Sequence, residues 1–289
     1  MTAVQLERVS FQYPTADHPA LRAVSLDLES ARVTWFLGRL GAGCSTLLQV
    51  IGGLAPRHTG GRLEGRVSTL GVDTVDPRAP ALLAGRIGYV TASPLLQLSG
   101  VAATVWEEVA FAPANLGWPI ETIRDSVGRA LDRLGVAHLS ARDPATLSGG
   151  ELQRVVFAAM LALEPELWLL DEPASALDLE SRDRVYALLC EEAARGATVL
   201  IASEDADALV AVADRLVVLD QGAVVLDGPP HDLLAGEEIW RVGPGSTSVA
   251  ELARGAAERV PSPRTAAPWP VTVEEAVRRW GEALPPTDP

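Results

Sequence analysis

Between residues 36 and 48 the chain reads FLGRLGAGCSTLL, and its glycines have the spacing of a loop that binds phosphate. Backbone N–H groups in such a loop point inward, and the helix that follows favours an anion at its N-terminus. One position departs from the G-x-x-x-x-G-K-[ST] pattern, because Cys44 stands where the pattern has lysine. The residues predicted to surround the phosphates are Gly38, Arg39, Gly41, Ala42, Gly43, Cys44, Ser45 and Thr46.

Two adjacent carboxylates, Asp171 and Glu172, end the apolar run ELWLLDEP at residues 166–173. Asp171 is the residue type that holds Mg²⁺ through water, while the hydroxyl of Ser45 would ligate the same ion directly. Glu172 is the residue type that orients or deprotonates an attacking water. Together with the glycine loop, these residues predict the transfer of a phosphoryl group to water.

The composition narrows the classes of function. The chain has 24 basic and 38 acidic residues and a net charge of −14, which argues against a nucleic-acid partner because phosphate neutralisation needs clustered Lys and Arg. The sequence has no run of 18 apolar residues that predicts a membrane span, and the N-terminus lacks the pattern of a signal peptide. Two cysteines, Cys44 and Cys190, predict neither a disulfide framework nor a metal site and fit a reducing cytoplasm.

Alternating strands and helices would position these groups. The run at 32–38 is predicted as a strand that enters the glycine loop, and a helix is predicted from Ser45 with Leu54 on its apolar face. A mainly helical segment is predicted from about 95 to 163. This order predicts an α/β fold with a mainly parallel sheet covered on both faces. Further strands are predicted at 24–30, 166–173, 197–203 and 215–222, and helices at 121–135 and 179–195.

The composition changes beyond about residue 236. The segments GPGSTS (243–248) and VPSPRTAAPWP (260–270) are typical of a linker, and residues 272–284 predict one amphipathic helix with a capping box between Thr272 and Glu275. The apolar stripe of this helix predicts either docking on the chain's own domain or binding of a partner. The stripe consists of Val273, Val277, Trp280 and Leu284.

One longer segment, LSGGELQRVVFAAMLALEPELWLLDEPASALD (147–178), resembles the ATP-binding cassette family, the ATPase subunits of ABC transporters. LSGGE matches the family's signature loop, LWLLDEP its Walker B strand and SALD its D-loop. The resemblance covers about residues 2–235, which it predicts as the ATP-binding domain, leaving 236–289 as a linker and a C-terminal helix. It implies a P-loop cassette with an N-terminal antiparallel β subdomain, a helical signature subdomain, and ATP and Mg²⁺ as cofactors.

The resemblance also assigns roles to individual residues. Tyr13, in FQYP, stands where the family stacks an aromatic ring on adenine, and simple packing is the alternative. The signature loop caps the γ-phosphate of the nucleotide held by the other subunit, so two cassettes pair face to face. The signature residues are Ser148, Gly149, Gly150 and Glu151.

Residues 87–119 resemble the energy-coupling-factor branch of the family, which drives importers of vitamins and transition metals. Those ATPases carry a segment similar to NPxxQL…TVxxDVAFGPxNLGLP, which this chain matches or nearly matches from Ser93 to Pro119. The branch implies three partners: a second cassette ATPase, a transmembrane coupling subunit and a substrate-binding membrane protein. It also implies a peripheral location on the cytoplasmic face of the membrane.

Three departures from the family concern the terminal phosphate. Cys44 replaces the lysine that bridges the β- and γ-phosphates, Ala92 replaces the Q-loop glutamine, and Glu204 replaces the switch histidine. Since phosphoryl transfer depends on positioning and charge stabilisation, these changes predict weakened ATP binding and a larger loss of hydrolysis.

Arg39 could supply the missing charge. At a helix N-terminus, Cys44 is expected to have a lowered thiol pKa, and it predicts either a residue that fills the lysine's space or a redox switch.

The sequence thus predicts a catalytically impaired, ATP-binding subunit of a heterodimeric importer, which donates its signature loop to an intact partner. Two alternatives stay open. One is a soluble regulatory ATP-binding module without a transport role, and the other is an active ATPase that uses substitute residues such as Arg39.

Overall fold

The computed structural model describes residues 1–243, 245–259 and 267–280, which form two β-sheets surrounded by helices. The strands are β1 (Thr2–Gln12), β2 (Leu21–Glu29), β3 (Val33–Leu37), β4 (Arg62–Thr69), β5 (Val72–Asp73), β6 (Ile87–Val90), β7 (Leu167–Asp171), β8 (Thr198–Ala202), β9 (Arg215–Asp220) and β10 (Ala223–Gly228). The helices are α1 (Cys44–Ile51), α2 (Ala79–Leu83), α3 (Val105–Asn115), α4 (Ile120–Arg133), α5 (Gly149–Leu161), α6 (Leu179–Ala194), α7 (Ala206–Leu209), α8 (Pro230–Ala235), α9 (Glu238–Val242), α10 (Ser248–Arg259) and α11 (Val273–Trp280).

The larger sheet has six strands in the order β10-β9-β3-β8-β7-β6, and all of its pairs except β10–β9 are parallel. The smaller sheet is antiparallel and has the order β2-β1-β4-β5. The predicted α/β fold, with a mainly parallel core sheet and an N-terminal antiparallel sheet, is therefore confirmed. This order brings the carboxyl ends of β3, β7 and β8 to one edge, where open α/β sheets bind their ligands.

Side chains of the core sheet enter two hydrophobic cores in alternation. On β3, Trp35 and Leu37 pack in the core formed with the helices, while Phe36 packs in the core formed with α1 and the antiparallel sheet. On β7, Trp168 and Leu169 divide between the two cores in the same way. Because both faces are buried, these strands are the continuous apolar runs that the sequence contains. The helix predicted from Ser45 begins one residue earlier, and it ends at Ile51, before Leu54.

The segment predicted to be helical contains α3, α4 and α5. Thr104 and Glu107 form a capping box at the start of α3, and Ser148 and Glu151 form another at the start of α5. In the second box, the Ser148 N–H donates to the Glu151 carboxylate at 2.8 Å. Reciprocal bonds of this kind satisfy donors that a helix start leaves unpaired. They define where α5 begins, and so they order the LSGGE loop.

Much of the C-terminal region packs on the main body of the protein. Ile239, Ala250 and Ala253 lie in the helix-side core. The stretch expected as linker at 243–248 leads directly into α10, whose first residue, Ser248, donates its N–H to the carboxylate of Asp207 at 2.8 Å. Composition did not predict α10, because contacts with the body rather than local sequence stabilise it. Of the second expected linker, residues 260–266 lie outside the described ranges.

The predicted C-terminal helix is present as α11. Its capping residue Thr272 accepts a hydrogen bond from the Glu275 N–H at 3.3 Å, and Glu275 Oε1 lies 2.7 Å from Nε2 of His231 on α8. Docking through the apolar stripe was the wrong expectation for Val273 and Val277, which are 61% and 62% exposed. Trp280 packs against the core, and Leu284 lies outside the described residues.

Candidate nucleotide-binding site

A pocket opens at the carboxyl edge of the core sheet, where the glycine loop meets the ends of β7 and β8. All the residues predicted to surround the phosphates line it. The other lining residues are Tyr13, Ala20, Phe36, Leu40, Asp171, Glu172, Ala202, Ser203 and Glu204. The fold therefore joins the loop, both carboxylates and two of the three departures, Cys44 and Glu204, although they lie far apart in the chain.

The loop needs glycine at two positions for steric reasons. Gly43 has φ 109°, in the left-handed region, and a Cβ on it would lie 2.6 Å from the carbonyl oxygen of Ala20. A Cβ on Gly38 would lie 2.6 Å from the Cβ of Ala42. The loop ends at the first turn of α1, whose leading N–H groups have no acceptor within the helix. This arrangement fits an anion such as a phosphate group.

Ser45 and Asp171 meet in the pocket. Ser45 Oγ donates to Asp171 Oδ1 at 2.9 Å, and burial raises the pKa of Asp171 against the opposing effect of this hydrogen bond. Hydroxyl and carboxylate oxygens suit Mg²⁺, which takes its remaining ligands from water and phosphates. The described residues contain no cluster of three or more His, Cys, Asp or Glu that could hold a metal. The pair therefore fits a Mg²⁺ ion that arrives with a nucleotide.

Glu172 is restrained by the loop that follows β8. Its two carboxylate oxygens accept hydrogen bonds from the Ser203 hydroxyl and from the Glu204 N–H, both at 3.0 Å. Its φ of 48° lies in the left-handed region, which costs energy for a residue with a side chain. Burial raises the pKa of Glu172, and these two hydrogen bonds oppose the rise. These contacts thus restrain the position of the carboxylate that was expected to act on water.

The expected lowering of the Cys44 pKa is wrong. Burial, followed by the negative charge of Asp171, raises the pKa of the Cys44 thiol to about 12, and Glu172 and Glu204 act in the same direction. These effects outweigh the helix N-terminus at which Cys44 lies, because a thiolate there would be both desolvated and surrounded by carboxylates. Cys44 is therefore a neutral thiol at physiological pH, which favours its role as a residue that fills space over that of a redox switch.

Alkylation of Cys44 by iodoacetamide at pH 8 is expected to be about a thousandfold slower than alkylation of the same thiol in the unfolded chain, because a pKa of about 12 leaves little thiolate. The rate should rise about tenfold for each pH unit up to the highest pH at which the chain stays folded. Mass spectrometry of the peptide that contains Cys44, with and without guanidinium chloride, measures both rates. Equal rates in the folded and unfolded chain would contradict the raised pKa.

Tyr13 and Arg39 both line the pocket but differ in their contacts. The Tyr13 hydroxyl lies 3.1 Å from both Thr46 Oγ1 and Gln49 Oε1, and its ring meets Phe11 edge-on with the centroids 4.8 Å apart. Tyr13 therefore packs and faces the pocket at once. Arg39 is exposed, and among the described residues that line the pocket it is the sole cation.

The Q-loop position and the signature loop, both expected near a nucleotide, lie outside this pocket in the described chain. Ala92, at the Q-loop position, is exposed after β6 and does not line the pocket, whereas Glu204, at the switch position, does. The signature residues 148–151 at the start of α5 do not line it either. A Cβ on Gly150 would instead lie 3.5 Å from the carbonyl oxygen of Ala176, within the SALD segment. One copy of the described chain thus holds its signature loop apart from its own pocket.

Ser203 is the contact residue that sequence reasoning missed. It is buried, its hydroxyl donates to Glu172, and its carbonyl oxygen accepts from Trp35 Nε1 at 2.8 Å. The available signal was its position directly before Glu204, at the switch position. Its contacts to β3 and β7 depend on the strand order, and a linear motif does not specify strand order.

The sequence of this chain is similar to those of known proteins that share its motifs. A model of the ABC transporter family matches residues 21–175. The nickel import ATP-binding protein NikO of Rhodobacter capsulatus is 39% identical over 247 residues, which cover 83% of this chain and 94% of that protein. The energy-coupling factor transporter ATP-binding protein EcfA of Methanosarcina acetivorans is 34% identical over 269 residues, which cover 93% of each.

A solved structure also resembles this chain. CbiO1 of Clostridium perfringens, part of the ABC transporter complex CbiONQ, aligns with a TM-score of 0.72 and 29% identity over 90% of this chain and 96% of that chain. The chain spans only 41% to 47% of the length of four other relatives, from Methanosarcina and Streptomyces species, to which it is 35% to 38% identical. The resemblance to ATP-binding cassettes with energy-coupling-factor relatives is confirmed.

Proposed function

This chain belongs to the ABC transporter family, and we propose that it is the ATP-binding subunit of an energy-coupling-factor type importer. Its own site is impaired in hydrolysis, and its signature loop completes the site of a second, intact cassette ATPase. Residues 2–235 form the ATP-binding domain. The complex also contains a transmembrane coupling subunit and a substrate-binding membrane protein, and it places this chain on the cytoplasmic face of the membrane.

The observation that carries the proposal is a contrast between the two halves of the catalytic machinery. The signature loop keeps its full LSGGE sequence and an ordered capping box between Ser148 and Glu151. The pocket instead has Cys44 in place of a cation and Glu204 in place of a histidine. A chain of this kind can serve a neighbour's phosphates while it is poorly equipped to hydrolyse its own nucleotide.

The pocket retains the groups that hold Mg²⁺ and the inner phosphates. A bound nucleotide with Mg²⁺ would supply the phosphoryl group. Ser45 and Asp171 would hold the ion, and the loop from Gly38 would surround the phosphates with backbone N–H groups. Ser203 and the Glu204 N–H each hold one oxygen of Glu172, and Cys44 supplies no cation for the terminal phosphate. The proposal therefore combines retained binding with weak hydrolysis.

An exposed apolar surface supports a membrane partner. We call it the coupling surface, and it follows the Q-loop position. Leu96 is 83% exposed, Leu95 64% and Val101 75%. Three exposed apolar side chains within residues 95–101 favour an interaction site over isolated exposure. No helix in the described ranges combines the length and apolarity needed to cross a bilayer. The coupling surface consists of Leu95, Leu96, Val101, Phe111 and Leu116.

Replacing Leu96 with glutamate is expected to lower recovery of this chain with its co-expressed transmembrane subunit by about tenfold or more, because a charge would be buried in an apolar contact. Affinity purification from detergent through a tag on the transmembrane subunit measures the recovery. Leu252→Glu is the matched control, since Leu252 is 76% exposed on α10 and lies outside the coupling surface. Unchanged recovery of Leu96→Glu, or no complex with the wild-type chain, would favour the soluble regulatory module instead.

A further inference from the structure

We propose that the pocket of this chain prefers a nucleoside diphosphate to a nucleoside triphosphate, because the carboxylates of Glu172 and Glu204 oppose a third phosphate and position 44 has no lysine to attract it. This inference rests on the proposed function in one respect, since it takes the pocket as a nucleotide site. It adds the chemical class of the nucleotide that the site holds.

The part of the pocket that serves two phosphates is intact. The glycine loop has the backbone geometry of an anion cradle, with Gly43 at φ 109° and Gly38 in close contact with Ala42. Ser45 and Asp171 form an oxygen pair at 2.9 Å that suits Mg²⁺. These contacts need only backbone N–H groups, one hydroxyl and one carboxylate, and none of them depends on the residue at position 44. A diphosphate therefore keeps all of these contacts and lacks only the lysine contact to its β-phosphate.

Two further carboxylates occupy the wall beside this cradle. The hydrogen bonds from Ser203 and from the Glu204 N–H draw Glu172 to the loop after β8, next to the residue that carries the second carboxylate. Glu204 lines the pocket, is exposed as Arg39 is, and makes no ion pair with any described residue. Both carboxylate residues line the same pocket as Cys44, from which a lysine side chain would extend. The wall is thus anionic at the lysine position.

The balance of charge around the pocket distinguishes the two nucleotides. Asp171 serves the metal ion, which leaves two carboxylates, and among the described lining residues only the exposed Arg39 is cationic. Each added phosphate brings about one more negative charge at neutral pH, and the carboxylates that line the same pocket repel it. A lysine at position 44 would offset this repulsion, whereas a neutral thiol does not. The third phosphate is therefore disfavoured selectively.

Such a preference changes the role of the site in the complex. ADP would stay bound while the partner's site turns over, since its release would not depend on hydrolysis in this pocket. The bound diphosphate would keep the loop between β3 and α1 ordered. The pocket of this chain would then hold ADP throughout the partner's cycle, and the nucleotide would have a structural role.

Calorimetric titration of the purified full chain with Mg-ADP and with Mg-AMP-PNP, a triphosphate analogue that resists hydrolysis, tests the preference. We expect ADP to bind at least about tenfold more tightly. Glu204→Gln should narrow this ratio by at least about threefold, by tightening AMP-PNP while leaving ADP unchanged. Glu7→Gln is the matched control, because it removes one exposed carboxylate on β1, outside the pocket, and should leave the ratio as it was. Circular dichroism verifies that each variant is folded.

Equal or tighter binding of AMP-PNP would overturn the inference, as would a Glu204→Gln effect of the same size on both nucleotides. Either result would leave the proposed impaired subunit intact, because that proposal is judged by turnover in the complex. Failure of the folded chain to bind either nucleotide would overturn both the inference and the proposed retention of nucleotide binding.

Discussion

Introducing aspartate at Gly149 is expected to lower ATP turnover of the assembled transporter by about a hundredfold or more, because a carboxylate would stand where the partner's γ-phosphate must bind. Gly149 opens α5, and a Cβ there has no neighbour within 4 Å. An acidic residue in the first turn also favours the helix itself. The loss of turnover would therefore not reflect misfolding. Steady-state phosphate release by the purified complex measures it.

The same assay should respond little to this chain's own carboxylate. Glu172→Gln is expected to change turnover by less than about twofold, whereas substitution of the partner's Walker B glutamate should abolish it. Gly128→Asp, on α4 where a Cβ also has no neighbour within 4 Å, controls for the added charge and should leave turnover unchanged. Similar losses from Glu172→Gln and from the partner's substitution would show that both sites hydrolyse ATP and would contradict the asymmetric model.

Replacing Cys44 with lysine is expected to tighten binding of Mg-AMP-PNP to the isolated chain by about tenfold to a hundredfold, because a hydrogen bond to a charged group contributes about 1.5–3 kcal/mol. The pKa of the thiol is raised first by burial and then by Asp171, with smaller effects of Glu172 and Glu204. These carboxylates would stabilise the ammonium of a lysine at this position. Titration calorimetry measures the change in dissociation constant.

A substitution without charge separates this effect from a change in packing. Cys44→Met fills a similar path with an uncharged chain and should leave the affinity within about threefold of the wild type. If methionine tightened binding as much as lysine does, the missing charge would not be the cause of weak triphosphate binding. The argument that the pocket is impaired at position 44 would then fail.

Features encoded in neighbouring residues were predicted from the sequence. Features that depend on contacts between distant residues were not. Helix α4 was found near its predicted bounds because an apolar face recurs within 14 residues. Helix α10 was missed because its stability comes from contacts such as Ser248 with Asp207, which are 41 residues apart. The stripe on α11 was read correctly as apolar, but which side of the helix meets the body depended on Glu275 and His231.

The sequence by itself determined the alternation of strands and helices around the core sheet, the glycine loop, the carboxylate pair and the substitutions at Cys44 and Glu204, because each is encoded in contiguous residues. Only the tertiary structure decided what surrounds them. Ser45 and Asp171 are 126 residues apart and Glu172 and Ser203 are 31 apart, yet each pair is in hydrogen-bond contact. Burial and charge depend on distance in space, so the raised pKa of Cys44 and the restraint on Glu172 follow from the fold and not from the local motif.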